Sequence, residues 1–301
     1  MATEHSSTRF QDLDTWPSLD ILSAFYEGQL SAVAAVRPAL PAIAAAAEEA
    51  TARLRRGGRL AYVGAGTSGR IGVQDGTELP PTFNWPDDRI VYLIAGGQGA
   101  IMRAVENAED SVEEGVAGIR AHGIGPDDVV IGVAASGRTP FTIAALEEAR
   151  SRGAQTVGIS NNADAPLLHV CSHPILADTG EEVIAGSTRM KAGTAQKMIL
   201  NLLTTTAFVR SGKVYGNLMV DLNPSNEKLV HRAKRIISLA TGADDDRVAE
   251  AFEAAGRHVK TAIVMLLADV DAPRAQELLL QADGFVRRAL ELERNASSSG
   301  A

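Results

Sequence analysis

The chain is short of several features that mark particular classes of protein. It has one cysteine among 301 residues, so no disulfide can form within it, and a reducing compartment, the cytoplasm, is expected. No uncharged stretch reaches the roughly 18–20 residues that a membrane helix needs, so no membrane contact is expected. The first residues also lack the basic flank and apolar run of a signal peptide.

An excess of positive charge is missing as well. The sequence has 29 Lys and Arg against 37 Asp and Glu, a net charge of −8, which argues against a nucleic-acid partner. Any phosphate that the protein binds must therefore be held by local groups. The 45% of hydrophobic and 22% of charged residues are ordinary for a globular protein.

Short apolar runs of the kind found in buried parallel strands alternate with helical patterns. The runs cover residues 59–63, 90–95, 129–134 and 156–160, with a weaker one at 174–177. Between them, helical patterns extend over 100–119 and 140–152. This alternation predicts an α/β fold built on a doubly wound parallel sheet.

Three parts are predicted along the chain. They are an N-terminal arm with helices over 1–56, an α/β domain with a long helix over 57–222, and a small all-α subdomain over 223–301. Pro38 and Pro41 predict a break in the N-terminal helices. The Ser-rich tail from Ala296 is expected to fray.

Three loops rich in glycine and hydroxyl side chains follow predicted strands or open a predicted helix. They cover residues 64–70, 135–139 and 186–194. Glycine lets the backbone approach an anion, and the N–H groups at a helix start attract negative charge. Because parallel strands end at one edge of a sheet, the first two loops should converge on a crevice. The candidate phosphate-binding residues are Gly66, Thr67, Ser68, Arg70, Ser136, Gly137, Arg138, Thr139, Ser187, Thr188 and Lys191.

Two other interpretations of these loops remain open at this point. The spacing of Gly64, Gly66 and Gly69 also fits a dinucleotide-binding fingerprint. No acid ends the second strand, however, and the second hydroxyl-bearing loop suits a terminal sugar phosphate better than a pyrophosphate. Glycine turns and capping serines are also often purely structural. The hydroxyls of the third loop are expected to cap the long helix.

The segment from His169 to His173 carries the residue types that bind zinc. On a strand, His169, Cys171 and His173 would share one face. Three ligands so close on one strand rarely converge on a tetrahedral ion, so these residues are expected to be structural and no metal is predicted.

Four longer motifs give the sequence a family resemblance. They are residues 62–70, 134–140, 186–197 and 213–221, and they resemble SIS domains and, more narrowly, the N-acetylmuramic acid 6-phosphate etherase family over residues 12–294. The resemblance implies a cytoplasmic, cofactor-independent lyase, homodimeric, that removes D-lactate from N-acetylmuramic acid 6-phosphate. The related glucokinase regulatory protein suggests the alternative, a non-enzymatic phosphosugar-binding regulatory protein.

The resemblance also assigns two carboxylates. Residues 75–83 match the motif that carries one and imply Glu78 as the acid, while 105–110 imply Glu109 as the base at C2 of the sugar. Without the resemblance, the acidic run around Glu109 would be interpreted as a solvated helix face. For these roles Glu78 should lie in drier surroundings or beside a negative charge. The arm over 3–10 departs from the family, which usually carries an Arg-Asn-Pro motif there.

Overall fold

The structure is a computed structural model that describes residues 1–299. The strands are β1 (Leu60–Gly64), β2 (Ile90–Ile94), β3 (Val129–Val133), β4 (Gln155–Ser160), β5 (His173–Leu176), β6 (Val214–Tyr215) and β7 (Leu218–Met219). The helices are α1 (Ser18–Val36), α2 (Leu40–Arg55), α3 (Gly66–Thr77), α4 (Leu79–Phe83), α5 (Gly99–Met102), α6 (Val112–Ala121), α7 (Pro140–Ser151), α8 (Pro166–Val170), α9 (Lys191–Arg210), α10 (Glu227–Thr241), α11 (Asp245–Ala254), α12 (Val259–Ala268), α13 (Ala272–Gln281) and α14 (Val286–Ser299).

Contacts between residues divide the chain into two compact units. The first, here called the sheet unit, comprises Met1–Thr77 and Asp87–Ala207. The second, the helical unit, comprises Glu78–Pro86 and the chain from Phe208 onward. The short segment 78–86 is thus interposed in the sequence of the sheet unit but packs with the C-terminal helices.

The sheet unit contains a five-stranded parallel sheet in the order β2-β1-β3-β4-β5. The chain passes from β1 to β2 at one edge and then returns to β3 on the other side of β1. This reversal confirms the predicted doubly wound fold and puts the switch point between β1 and β3. Each of the five predicted strands is present, with its ends within one residue of the prediction.

Helices cover both faces of this sheet. Ala61 and Val63 of β1 belong to a buried cluster with residues of α6 and α7. Tyr62 points to the opposite face, where it contacts α3 at Gly72 and Asp75. Because both faces are covered, every residue of β1 is buried, which explains the continuous apolar run in the sequence.

The predicted helix over 100–119 is wrong, because the structure breaks it. Helix α5 ends at Met102, and Asn107 then takes a left-handed conformation with φ of 61°. Helix α6 begins only after Ser111, whose side chain accepts a hydrogen bond from the Glu114 N–H. A serine that caps the N-terminus of a helix marks a new start. The break between α5 and α6 forms one wall of the site described below.

The N-terminal helices break where the prolines predicted, at a short turn over Arg37–Ala39. The whole stretch Ser18–Arg55 is long and apolar enough to cross a membrane by length and composition, although the core helix of a soluble protein passes the same test. Charged residues, among them Asp20, Glu27 and Arg37, interrupt this stretch. It therefore contains no long uncharged run of the kind sought in the sequence. About a third of its most apolar window, 33%, is buried within the protein.

Five helices, α10 to α14, make up most of the helical unit. Their core includes Ile237, Phe252, Ile263 and Leu278. Short breaks at residues 242–244, 255–258, 269–271 and 282–285 separate these helices. Helix α14 continues to the last described residue. Residues 296–299, where fraying was predicted, belong to this helix. Residues 300–301 lie outside the described residues, and fraying there stays a prediction.

Candidate active site

The first glycine loop leaves the sheet at the switch point, between β1 and α3. A β-carbon on Gly69 would lie 2.8 Å from the carbonyl oxygen of Gly64, and one on Gly64 would lie 2.9 Å from the Gly69 nitrogen. Only glycine at both positions lets the strand turn this tightly into the helix. The N-terminus of α3 is therefore presented at the carboxyl edge of the sheet.

A cavity of about 290 Å³ opens beside this loop in the sheet unit. It is lined by Gly66, Thr67 and Arg70 on one side and by residues 104–109 on the other. The structure thus brings three of the predicted phosphate-binding residues together with Glu109.

Glu109 lies on a short turn, Ala108–Asp110, between α5 and α6. Its side chain is exposed and makes no hydrogen bond or ion pair with any residue in 1–299. Glu106 and Asn107 line the same cavity, and they were not predicted as site residues because the segment was expected to lie inside a helix. The left-handed Asn107 and the capping Ser111 were the local signals of the break.

Arg70 holds the opposite wall of the cavity in place. Its Nε donates to the carbonyl oxygens of Ala100 at 3.1 Å and Ile101 at 3.0 Å, and its Nη2 to that of Arg103 at 3.3 Å. These bonds fix the end of α5, from which the Glu109 segment departs. The predicted phosphate contact of Arg70 would have to share its donors with these carbonyls.

Ser68 is turned away from the cavity lining and starts a chain of buried hydrogen bonds. Its Oγ donates to Oε1 of Gln196 at 3.0 Å, and Nε2 of Gln196 donates to Oδ1 of Asn161 at 2.9 Å. Asn161 then donates to the carbonyl oxygen of Ala177 at 3.1 Å. The chain joins the first loop to α9 and to the ends of β4 and β5. Gln196 and Asn161 were not found from sequence, because their partners are distant along the chain.

The second loop lies at the end of β3, next to β1 in the sheet. Its Ser136 Oγ accepts the N–H of Arg138 at 3.1 Å, and Gly137 has a φ of 63°. The carbonyl oxygen of Gly137 accepts the Leu167 N–H at 3.0 Å, which fixes the loop against α8. Thr139 precedes α7 without capping it. None of these residues lines the 290 Å³ cavity.

The third loop differs from the expectation that its hydroxyls cap the long helix. A fully buried carboxylate, that of Glu182, accepts the N–H groups of Lys191 at 2.9 Å and Ala192 at 3.0 Å. The hydroxyls of residues 187–188 are therefore not the cap. The Lys191 ammonium donates to the carbonyl oxygen of Glu181 at 2.8 Å. A phosphate at this helix start would have to compete with Glu182.

Glu78, the second predicted catalytic residue, belongs to the helical unit. It lies between α3 and α4, and its exposed side chain has no hydrogen bond or ion pair with any described residue. Among residues 1–299, nothing gives this exposed side chain the drier surroundings expected for it, and the alternative expectation of a neighbouring negative charge stays a prediction. It is not among the residues that line the cavity beside Glu109.

A buried network fixes the end of α3, one turn before Glu78. The Tyr62 hydroxyl donates to Oδ2 of Asp75 at 2.8 Å, Asn201 donates to Oδ1 at 2.9 Å, and Lys197 lies 3.8 Å from Oδ1. Burial raises the pKa of Asp75 although Tyr62 and Lys197 oppose the rise, and burial also raises that of Tyr62. The partners of Asp75 lie far apart in the sequence, so no local pattern predicted this network.

The His169–His173 segment is not a continuous strand. His169 lies at the end of α8, Cys171 follows it, and only His173 is in β5. His173 pairs with Glu49 at 2.7 Å. Within residues 1–299, no group of three or more His, Cys, Asp or Glu side chains could hold a metal ion.

Two models of known families match overlapping parts of the chain. The glucokinase regulatory protein N-terminal SIS domain matches residues 42–150, and the SIS domain matches residues 111–206.

Curated relatives match nearly the whole chain. The N-acetylmuramic acid 6-phosphate etherase of Deinococcus radiodurans is 51% identical over 96% of this chain and 94% of its own. The protein of the same name from Streptomyces coelicolor is 49% identical over 96% and 93%. Among solved structures, a phosphoheptose isomerase from Francisella tularensis aligns over 65% of this chain and 98% of its own, with a TM-score of 0.48 and 20% identity.

Proposed function

The chain belongs to the N-acetylmuramic acid 6-phosphate etherase family, and from that membership we propose the reaction and the residues that carry it out. The protein cleaves the D-lactyl ether of N-acetylmuramic acid 6-phosphate and yields N-acetylglucosamine 6-phosphate and D-lactate. The observation that supports this proposal is a single cavity lined both by Thr67, at the start of α3, and by the unpartnered carboxylate of Glu109.

The chemistry requires a base before it requires a leaving-group acid. A lactyl ether at C3 is a poor leaving group, so direct displacement would be slow. In the ring-opened sugar, the C1 aldehyde acidifies the neighbouring C2 proton. Removal of that proton lets the C3–O bond break, which leaves an unsaturated aldehyde and makes the enzyme a carbon–oxygen lyase.

Two carboxyl groups account for every proton in this sequence. Glu109 takes the C2 proton while protonated Glu78 gives its proton to the departing lactate oxygen. Ionised Glu78 then takes a proton from the water that attacks C3, and Glu109 returns its proton to C2. Both groups end in their starting states, and no step calls on a metal or redox cofactor.

The phosphate is proposed to bind at the start of α3. The first N–H groups of a helix have no partner inside the helix and favour an anion. Thr67 and Gly66 line the cavity at that point, opposite Glu109. The second and third loops, with Ser136, Gly137, Arg138 and Thr139 and with Ser187, Thr188 and Lys191, are proposed to complete the cradle.

The test is D-lactate release by the purified protein without added metal or cofactor. The substrate is N-acetylmuramic acid 6-phosphate, with the unphosphorylated sugar as control. Release from the phosphorylated sugar alone is expected. Saturable binding without release would instead support the regulatory alternative, which the named relatives do not favour, and the absence of both would refute the proposal.

The roles of the two carboxylates are tested separately. Glu78→Gln and Glu109→Gln should each bind substrate but lose turnover, since each removes one proton transfer. In deuterium oxide, Glu109→Gln should also lose exchange of the C2 hydrogen. Normal exchange by that variant would show that another group is the base, and normal turnover by Glu78→Gln would remove Glu78 from the mechanism.

A homodimer is proposed on the basis of α1. This helix carries a row of exposed apolar side chains at intervals of three or four residues, namely Leu19, Leu22, Tyr26, Leu30 and Val33. We propose that a second copy of the chain packs against this row of side chains. Light scattering should give twice the chain mass, and Leu22→Glu should shift it to the monomer mass.

We propose that the protein is located in the cytoplasm and takes part in the recycling of cell-wall sugar. Cys171 is buried and burial raises the pKa of its thiol, so it suits a reducing compartment as an inert side chain. Fractionation of cells should find the protein in the soluble fraction. Cells that lack it should accumulate N-acetylmuramic acid 6-phosphate.

A further inference from the structure

Glu78 owes its position to the backbone of its own segment. Its carboxylate has no hydrogen bond or ion pair with a described residue, so no polar interaction of the side chain holds it. What fixes it is the packing of 78–86 against the rest of the helical unit. A change in that packing moves Glu78 without touching it.

Aromatic side chains provide most of that packing. Leu79, Phe83 and Trp85 are each less than 7% exposed. The Phe83 ring stacks on Phe208 with centroids 4.8 Å apart, and the Trp85 ring meets Phe208 edge-on at 4.9 Å. The segment is thereby tied to the end of α9.

Lys213 adds a charged contact to this aromatic cluster. Its Nζ lies 5.9 Å from the centroid of the Trp85 ring, within the range of a cation–π contact. The same Nζ forms an ion pair with Asp221 at 2.7 Å. Asp221 also pairs with Lys260 at 2.9 Å, and Lys260 donates to the carbonyl oxygen of Gly284 at 3.2 Å. Lys213 is thus held between the Trp85 indole and a buried carboxylate.

We infer that Lys213 is a positioning residue for Glu78: held by Asp221, it fixes the Trp85 ring and so the backbone from which Glu78 projects. The inference rests on the proposed role of Glu78 as acid. Its chemistry is indirect, because Lys213 acts through Trp85 and need not touch the substrate. Asp221 stays ionised to hold it, since burial alone would raise its pKa but Lys260 and Lys213 lower it.

Two substitutions in the same cluster separate positioning from general stability. Lys213→Met and Lys260→Met each remove one of the two lysines that pair with Asp221, so each leaves that carboxylate with one partner. Of these two lysines, Lys213 is the one that contacts the Trp85 ring. A misplaced catalytic group can cost on the order of 10²-fold in rate, so Lys213→Met should lower kcat by about 10-fold to 100-fold with KM unchanged. Lys260→Met should leave kcat near the wild-type value.

Fluorescence reports on the segment without relying on activity. The chain has two tryptophans, Trp16 and Trp85, so Trp16→Phe leaves Trp85 as the single indole. In that background Lys213→Met should shift the Trp85 emission and increase its quenching by acrylamide, whereas Lys260→Met should not. Lys213→Arg, which keeps a cation that stacks on aromatic rings, should restore both kcat and emission.

The outcomes distinguish this inference from the proposed function. If Glu78→Gln releases lactate normally, the role of Glu78 fails, whatever Lys213 does. If Glu78→Gln is inactive but Lys213→Met and Lys260→Met have equal kcat values and equal Trp85 emission, the positioning role is refuted. A kcat loss and an emission change confined to Lys213→Met, both rescued by Arg, would support it.

Discussion

The buried carboxylate of Glu182 should make one of the largest single contributions to the stability of the sheet unit. It is fully buried and accepts two backbone N–H groups at the start of α9, those of Lys191 and Ala192. Hydrogen bonds to a charged group contribute about 1.5–3 kcal/mol each. Glu182→Ala removes two of them, so the free energy of unfolding should fall by about 3–6 kcal/mol.

This change is measurable by thermal unfolding. At about 2–4 °C per kcal/mol for a domain of this size, the Tm should fall by at least about 6 °C. Glu181→Ala is the matched control. The carboxylate of Glu181 does not cap the helix. Its backbone carbonyl oxygen, which accepts a hydrogen bond from the Lys191 ammonium, is retained in the variant.

If Glu182→Ala melts within about 1 °C of Glu181→Ala, the carboxylate does not stabilise the helix start, given the expected sensitivity. The Tm of Glu182→Gln should lie between those of the two alanine variants. Its amide keeps one acceptor oxygen, but the NH2 group that replaces the other oxygen faces the helix N–H groups as a donor.

Three further predictions concern the loops and the edge of the sheet. Gly137→Ala should destabilise the protein by about 2 kcal/mol or more, because its β-carbon would lie 2.3 Å from that of Ala165; calorimetry should show a smaller loss for Gly123→Ala, which has open space at a similar positive φ. Asp128→Asn should be less stable than wild type at neutral pH, since burial alone would raise the pKa of Asp128 but the hydrogen bonds that Arg59 donates hold it below its ordinary value. That difference should shrink as the pH falls through the folded-state pKa, and urea titrations that show the same difference at every pH would contradict it. Arg70→Lys should lower kcat/KM by about 10-fold, because a lysine cannot reproduce the forked hydrogen bonds to the end of α5, and an unchanged value would mean that this wall does not control the site.

The strands were predictable because their signal is local. A parallel strand buried on both faces must be apolar throughout, as β1 and β3 are. The proline break between α1 and α2 is also a local signal. So is the capping serine before α6, although the helix predicted over 100–119 runs through it. Glu78 and Glu109 came from the long motifs of the family, not from any pattern that a physical rule recognises.

The partners of the site residues were decided by the tertiary structure. Ser68 and Gln196 are 128 residues apart in sequence, and neither one's local pattern indicates the other. Glu182 precedes the helix that it caps by nine residues, beyond the reach of the usual capping rules. These contacts depend on where strands and helices meet in space.

Local sequence patterns were enough to predict the five strands of the sheet and the glycine turns, whereas Glu78 and Glu109 were assigned by family resemblance and their roles stay proposals. Only the tertiary structure decided that the segment carrying Glu78 packs with the C-terminal helices while Glu109 lines a cavity of the sheet unit. Leu79, Phe83 and Trp85 can be buried against any apolar surface that the fold brings near them. Which surface that is depends on the whole chain, whereas the tendency of each residue to turn, extend or coil depends on its immediate neighbours.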